Sequence, residues 1–166
     1  MTSMLNTVSR PQELSALLNP AFGALMVNAA SVGHIKATEK GLPFLLAFLV
    51  FPIVLHKNTR DGMPRNTRTK MHSWIAEHAE IKAGFAKRAV SMSQYTREAI
   101  IFGVNHNVLQ LGADGGIYGK RISKNKLSWD IKSETSDCVA RAEFLGRWLG
   151  KMEDIESTYA MWGVQP

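Results

Sequence analysis

The feature that most constrains the fold is a helical pattern that gives way to a tight turn. Helices are predicted over residues 79–90 and 94–107, where apolar side chains recur at helical spacing. The turn Ala113-Asp114-Gly115 follows, between the short runs 108–111 and 116–119, and its residues readily adopt a positive φ. The pattern therefore predicts a helix–turn–helix followed by a β-hairpin, which is the layout of a winged helix.

The boundary between the two helices is predicted at Ser91-Met92-Ser93-Gln94, which has the Ser-x-x-Gln spacing of a capping box. The glycine-rich hairpin can also be compared with a phosphate-binding P-loop. That motif places Ser or Thr after its lysine and a helix behind it, so that a hydroxyl and backbone amides hold phosphate and magnesium. Here Arg121 follows Lys120 and no helical pattern follows, so we predict a hairpin turn.

Helices are also predicted on either side of this region. Residues 20–37 present one apolar face, with Asn19 as N-cap and a proline directly after it. A helix over residues 136–151 carries an apolar seam made by Cys138, Ala142, Leu145, Leu149 and Met152. Asp154 is predicted to cap a final short helix.

The most hydrophobic segment, residues 42–55, is predicted to be a helix buried on all sides in the centre of the domain. A membrane span is the alternative interpretation. A span needs about 20 apolar residues, however, and this run is well short of that length. It also contains Pro52. A buried core helix is therefore favoured.

Together these elements predict a mainly α fold, namely a winged-helix-like helical domain with one small β-hairpin (the wing) and a C-terminal helical pair. We expect an N-terminal arm with a short helix over residues 1–18 and a core domain over residues 19–134. The C-terminal helices, residues 135–166, are expected to pack on the same core or on a partner. The lone Cys138 cannot form an intramolecular disulfide, and no secretory signal is recognised, so a reducing, cytoplasmic compartment is expected.

Two basic segments dominate the charge of the chain, whose formal net charge is +6. They are a polar loop over residues 56–70 and the wing over residues 118–126. Such density suits the neutralisation of phosphates, and an acidic protein surface or plain solvation fits it as well. The residues predicted to contact nucleic acid or a partner are Lys57, Arg60, Arg65, Arg68, Lys70, Arg97, Lys120, Arg121, Lys124 and Lys126.

The sequence offers little for reading DNA bases and nothing with the pattern of a catalytic site. The second predicted helix presents only Arg97, Asn105 and Asn107 for base contacts, so sequence-specific readout is predicted to be weak. The histidines form no ligand motif, and Cys138 is expected to be a buried structural thiol. We expect no metal, no cofactor and no enzyme activity. Trp162 is either a core residue or an anchor for a partner subunit, and we take it as the candidate anchor.

Several stretches of the chain together resemble a known family. They are Asn19-Pro20-Ala21-Phe22-Gly23, Phe51-Pro52-Ile53-Val54-Leu55-His56-Lys57 with Thr59-Arg60 and Pro64, Tyr95-Thr96-Arg97-Glu98-Ala99, Leu145-Gly146-Arg147-Trp148 and Trp162-Gly163-Val164-Gln165-Pro166. In this order they are similar to the middle component of ABC three-component systems, a group of bacterial defence systems that includes Lamassu. The resemblance runs from about residue 13 to residue 166.

The resemblance implies a non-catalytic accessory subunit that bridges an SMC/Rad50-like ABC ATPase and a variable effector, often a nuclease, in anti-phage or anti-plasmid defence. DNA would be contacted through the complex, and no membrane partner is implied. The alternative is a free-standing winged-helix transcription regulator, a homodimer whose affinity for a defined operator depends on Arg97 and Asn105. A small enzyme is a third hypothesis, which a nuclease assay would test.

Overall fold

The computed structural model describes residues 19–123 and 133–165 of the chain. The helices of these two ranges are α1 Pro20–Thr38, α2 Phe44–Ala47, α3 Val50–Val54, α4 Lys57–Gly62, α5 Met71–Glu77, α6 Ala79–Lys82, α7 Phe85–Asn105, α8 Glu134–Leu149 and α9 Ile155–Met161. Their strands are β1 Leu42–Pro43, β2 Leu109–Leu111 and β3 Gly116–Gly119. The mainly α class, with one small hairpin and a C-terminal helical pair, is confirmed. The predicted N-terminal arm lies outside the described residues.

Helix α1 begins as predicted and forms the centre of the domain. The side chain of Asn19 accepts a hydrogen bond from the Ala21 N–H at 2.9 Å, and Pro20 is the first helical residue. The helix ends at Glu39, whose φ is 60° and whose N–H donates to the Ile35 carbonyl. Most of its side chains are buried because α7, α8 and β3 all pack against it. The remaining elements are thus arranged around a single buried helix.

Helices α1 and α8 cross with their backbones in direct contact. A Cβ added to Gly33 would lie 2.0 Å from the Glu143 carbonyl oxygen, and one added to Gly146 would lie 1.9 Å from the Ala30 carbonyl oxygen. No side chain fits at either position without moving a helix. The two glycines therefore set the distance between the central helix and the C-terminal pair.

The hairpin of β2 and β3 is confirmed, and the structure adds a third strand to it. The sheet order is β1-β3-β2, and both neighbours of β3 run antiparallel to it. The Ser31 hydroxyl fixes this central strand on α1, donating to the Ile117 carbonyl at 2.6 Å and accepting from the Gly119 N–H at 2.8 Å. The second strand of the predicted wing therefore lies in the middle of a small sheet on the core.

Residues 42–55 are not the single core helix that the sequence predicted. They begin in β1 and continue through two short helices, α2 and α3, which are separated at Phe48 and Leu49. Pro52 explains the interruption, because its ring would clash with the carbonyl of residue 48 in a continuous helix. It is tolerated in the first turn of α3, where a backbone N–H has no helical partner. Burial of most of the segment was predicted correctly.

The predicted break at residues 91–94 is also wrong, because α7 runs without interruption from Phe85 to Asn105. The hydroxyls of Ser91 and Ser93 donate to the carbonyls of Arg88 and Val90, both at 2.9 Å. Serine side chains can satisfy themselves inside a helix in this way and need not cap a new one. The chain instead turns at Gly84, whose φ is 73°. The predicted helix–turn–helix boundary is therefore absent at residues 91–94.

The C-terminal pair follows the sequence pattern closely. In α8 the predicted seam faces the core, and Cys138, Ala142, Leu145 and Leu149 are fully buried. The Asp154 side chain caps α9 by accepting from the Ser157 N–H at 2.6 Å. Within the two described ranges, no helix has both the length and the apolar character that crossing a bilayer requires.

Candidate nucleic-acid and partner interface

The basic loop after α4 lies along helix α8. The Arg141 guanidinium donates to the Pro64 carbonyl at 3.4 Å, and the Trp148 indole N–H donates to the Thr69 carbonyl at 2.7 Å. The two donors are seven residues apart, so the loop follows α8 for about 10 Å. Residues that are distant in sequence are thereby brought to one surface.

This surface combines three predicted cations with two that the sequence analysis missed. Arg65, Arg68 and Lys70 project from the loop, and Arg147 and Lys151 are exposed on and just after α8. We call these five residues the loop–helix basic surface. Arg68, Lys70 and Lys151 line one depression of about 560 Å³, whose lining also includes Glu153. The sequence does not place Arg147 and Lys151 near the loop, because the contact between the loop and α8 appears only in the structure.

Arg60 is a correction, because the structure buries it rather than presenting it to a partner. Its side chain is 3 % exposed and contacts two carboxylates, with Nε 3.0 Å from Asp137 Oδ2 and Nη2 2.6 Å from Glu134 Oε1. Nη1 donates to the Val54 carbonyl at 2.9 Å. Burial alone lowers the pKa of Arg60, but the surrounding acidic groups outweigh it and raise the pKa. Arg60 therefore joins three elements of the fold.

Lys57 lies on the surface, where its charge is offset locally. Its Nζ donates to Asp61 Oδ2 at 2.6 Å, one helical turn along α4. This hydrogen bond raises the pKa of Lys57 and lowers the pKa of Asp61. An exposed pair of this kind has little net charge to offer to a phosphate.

The cations of the predicted wing follow β3. The backbone of Lys120 is fixed by the buried side chain of Asn28, which donates to its carbonyl at 2.8 Å and accepts from its N–H at 2.6 Å. The side chains of Lys120 and Arg121 are exposed beside an open cavity of about 650 Å³, which Lys36 also lines. Lys36 pairs with Glu143 at 2.5 Å. Lys124 and Lys126 lie outside the described residues.

The remaining predicted residues separate into one exposed cation and one core tryptophan. The Arg97 guanidinium lies 5.9 Å from the centre of the Phe48 ring on the surface of α7. Trp162 corrects the prediction of a partner anchor, because it is 1 % exposed. Its ring packs 4.7 Å from that of Phe85 and 6.2 Å from that of Trp74. Trp148 is buried as well.

The titratable groups with shifted pKa values that lie inside the domain belong to the packing. Burial raises the pKa of the Cys138 thiol to about 11, so the residue is protonated at neutral pH. Burial, reinforced by the charge of Arg88, lowers the pKa of His56. Among the residues that the structure describes, no three His, Cys, Asp or Glu side chains are grouped so that they could hold a metal ion.

Comparison with known proteins gives one match. The family model described as the ABC-three component (ABC-3C) system Middle Component 3 matches residues 7–166. Searches of curated proteins and of solved structures find no match. The matched range covers nearly the whole chain and includes the stretches on which the resemblance rested. The chain therefore belongs to the ABC-3C system Middle Component 3 family.

Proposed function

We propose that this protein is a non-catalytic accessory subunit of an ABC-3C defence system, in which it bridges an SMC/Rad50-like ABC ATPase and an effector nuclease in the bacterial cytoplasm. The family match over residues 7–166 is the observation that carries the proposal. The exposed basic side chains support it as well, because they stand on elements that the core holds rigidly. A middle component needs such preformed contact surfaces more than it needs a cleft.

The loop–helix basic surface is the proposed site of DNA contact. Arg65, Arg68 and Lys70 extend from a loop whose backbone is bonded to α8, while Arg147 and Lys151 extend from the helix side. Flexible cations on a fixed frame can follow a phosphate backbone without reading bases. We expect contact with DNA that is independent of sequence and strengthened by the other subunits of the complex.

Co-purification with the products of the neighbouring genes tests the bridging role. The tagged chain is co-expressed with the ATPase and the effector, and we expect both to elute with it. Omitting this chain should separate the ATPase from the effector. Elution of the tagged chain alone would refute the accessory role, and an ATPase–effector complex that forms without it would refute bridging. Nuclease and ATPase assays on the isolated chain should show no activity.

The structure gives less support than the sequence does to the hypothesis of a free-standing transcription regulator. That hypothesis needs a separate recognition helix, whereas α7 is continuous through the predicted boundary. Arg97 and Asn105, the proposed base readers, lie on this single long helix, and Arg97 packs beside the Phe48 ring. An operator that the isolated chain distinguishes strongly from scrambled DNA would restore the hypothesis.

A further inference from the structure

An apolar groove lies between α2, α7 and the C-terminal segment, away from the residues of the loop–helix basic surface. Its volume is about 310 Å³, and its walls include Phe44, Leu45, Phe48, Val90 and Val164. Large apolar side chains are exposed there, with Phe44 39 %, Leu45 43 % and Val90 71 % accessible to solvent. Apolar side chains exposed singly are normal, but a cluster of them around a groove indicates a binding surface.

Exposed apolar side chains recur on the same side of α7, with the exposed polar residues Gln94 and Arg97 between them. Val90, Arg97 and Ile101 are separated by seven and four residues, which places them on one side of the helix. Ile101 is 61 % exposed. The outer side of a surface helix is normally polar, so two exposed β-branched residues on this stripe are unusual. From Val90 to Ile101 the stripe is about 16 Å long, the length of three helical turns.

The groove is held in shape before anything binds. The Tyr159 hydroxyl donates a short hydrogen bond to the Leu45 carbonyl, and the Phe44 N–H donates to the Gly115 carbonyl at 3.1 Å. The rings of Phe44 and Phe48 meet edge to face at 5.4 Å. Because α2 is tied to both α9 and the hairpin turn, little conformational freedom remains to be lost on binding.

A positive charge, that of Arg97, interrupts this apolar surface. Arg97 is the charged residue among those that line the groove, and its guanidinium lies over the Phe48 ring. The ion pairs found within the described part of the chain involve other residues. An arginine in an apolar frame is suited to one carboxylate, which it can bind through two parallel hydrogen bonds.

We propose that this groove docks an amphipathic helix of a partner subunit, which presents a carboxylate between two large apolar side chains. The apolar residues lie against Leu45 and Val90 on one side and Ile101 on the other, and the carboxylate meets Arg97. A helix of about three turns matches the length of the stripe. This inference rests on the proposed function, because it assumes that the chain is a subunit of a complex.

The test uses full-length protein co-expressed with the ATPase and the effector, and measures how much of each is retained by the tagged chain. Leu45→Ser, Val90→Ser and Arg97→Glu change the groove. Leu111→Ser is a matched control, since Leu111 is 52 % exposed outside the groove, and Lys82→Glu is a charge control at an exposed site on α6. We expect each groove variant to retain at least tenfold less of one partner, while both controls retain as much as the wild type.

A photo-crosslinking residue at position 90 then identifies the occupant. We expect the crosslinked segment to be a partner helix with an Asp or Glu between large apolar residues. Replacing that Asp or Glu by Arg should restore capture of the partner by the Arg97→Glu variant. Thermal unfolding of every variant separates loss of docking from loss of folding. Because Val90 is highly exposed, Val90→Ser should remain folded even if Leu45→Ser unfolds the domain.

The outcomes distinguish this inference from the proposed function. If the wild-type chain retains neither subunit, the accessory role itself fails. If it retains them and the groove variants behave as the controls do, the docking inference is overturned and the accessory role stands. A crosslink to a second copy of this chain, or to a segment without a carboxylate, also overturns the inference.

Discussion

Arg60 connects three elements through one buried side chain. It extends from α4, donates to the Val54 carbonyl at the end of α3 and pairs with Glu134 and Asp137 in the first turn of α8. The carbonyl at the end of a helix needs a partner outside the helix, and Arg60 supplies it. The two carboxylates are also favoured at the positive end of the α8 dipole. The Val54 carbonyl and the two carboxylates thus each find in Arg60 a partner outside their own helix.

We predict that Arg60→Ala destabilises the domain by about 2–4 kcal/mol, because it removes charge-assisted hydrogen bonds and leaves the buried Val54 carbonyl without this donor. Arg65→Ala is the matched control, since it removes the same charge from an exposed site on the following loop and should cost less than about 0.5 kcal/mol. Urea unfolding measures both. Equal stabilities of the two variants would show that the ion pairs and the hydrogen bond of Arg60 do not hold the elements together.

Single residues were predictable from the sequence where their partners are close along the chain. The caps at Asn19 and Asp154 bind N–H groups two and three residues away, so the local pattern contains the whole interaction. The carboxylate partners of Arg60 lie 74 and 77 residues away. Nothing in the basic loop distinguishes this arginine from Arg65, because the carboxylates that bury it belong to another part of the chain.

Helices and strands could be predicted from the sequence where the local sequence patterns all favour the same structure. The apolar residues of α8 recur at helical spacing, and the turn residues of the hairpin stand between two short strand-like runs. Both elements were predicted correctly. Ser91 and Ser93 satisfy a capping pattern and a mid-helix pattern equally, and tertiary packing of α7 on α1 decides between them. The third strand, β1, is too short to show a period and exists through its pairing with β3.

The crossing of α1 and α8 gives a prediction at the scale of whole elements. Gly146→Ala places a Cβ 1.9 Å from the Ala30 carbonyl oxygen, far inside the normal contact distance, so the helices must separate along their contact. We expect a loss of about 3 kcal/mol or more, the upper range for overpacking, measured by urea unfolding. Gly62→Ala is the control, since the nearest atom to its Cβ would be Ile81 Cδ1 at 3.7 Å.

The control should be neutral or more stable by up to about 1 kcal/mol, because alanine restricts the unfolded chain more than glycine does. A Gly146→Ala protein that keeps wild-type stability would mean that α8 packs on α1 less closely than the structure has it. The C-terminal pair would then be less firmly attached to the central helix.

At the scale of the whole molecule, the loop–helix basic surface and the apolar groove are formed by different residues. The loop–helix basic surface involves α8 and the loop before α5, whereas the groove involves α2, α7 and the C-terminal segment. The two depressions have no lining residue in common, and both reach α9. The proposed DNA contact and the proposed docking of a partner helix therefore use different residues and do not compete for the same side chains. Sequence reasoning found the basic loop but not the groove, whose walls come from three separate segments.

The salt dependence of DNA binding tests the basic surface directly. We expect the isolated chain to bind duplex DNA weakly and with equal affinity for scrambled sequences, and its affinity should fall steeply with salt. In a plot of log affinity against log salt, Arg65→Glu with Arg68→Glu should reduce the slope by about 2, because each lost phosphate contact removes about 0.9. Lys82→Glu with Lys87→Glu changes the net charge equally at exposed sites outside this surface and should leave the slope nearly unchanged. Equal slopes for the two double variants would show that binding follows overall charge, and the loop–helix basic surface would then have no special part in it.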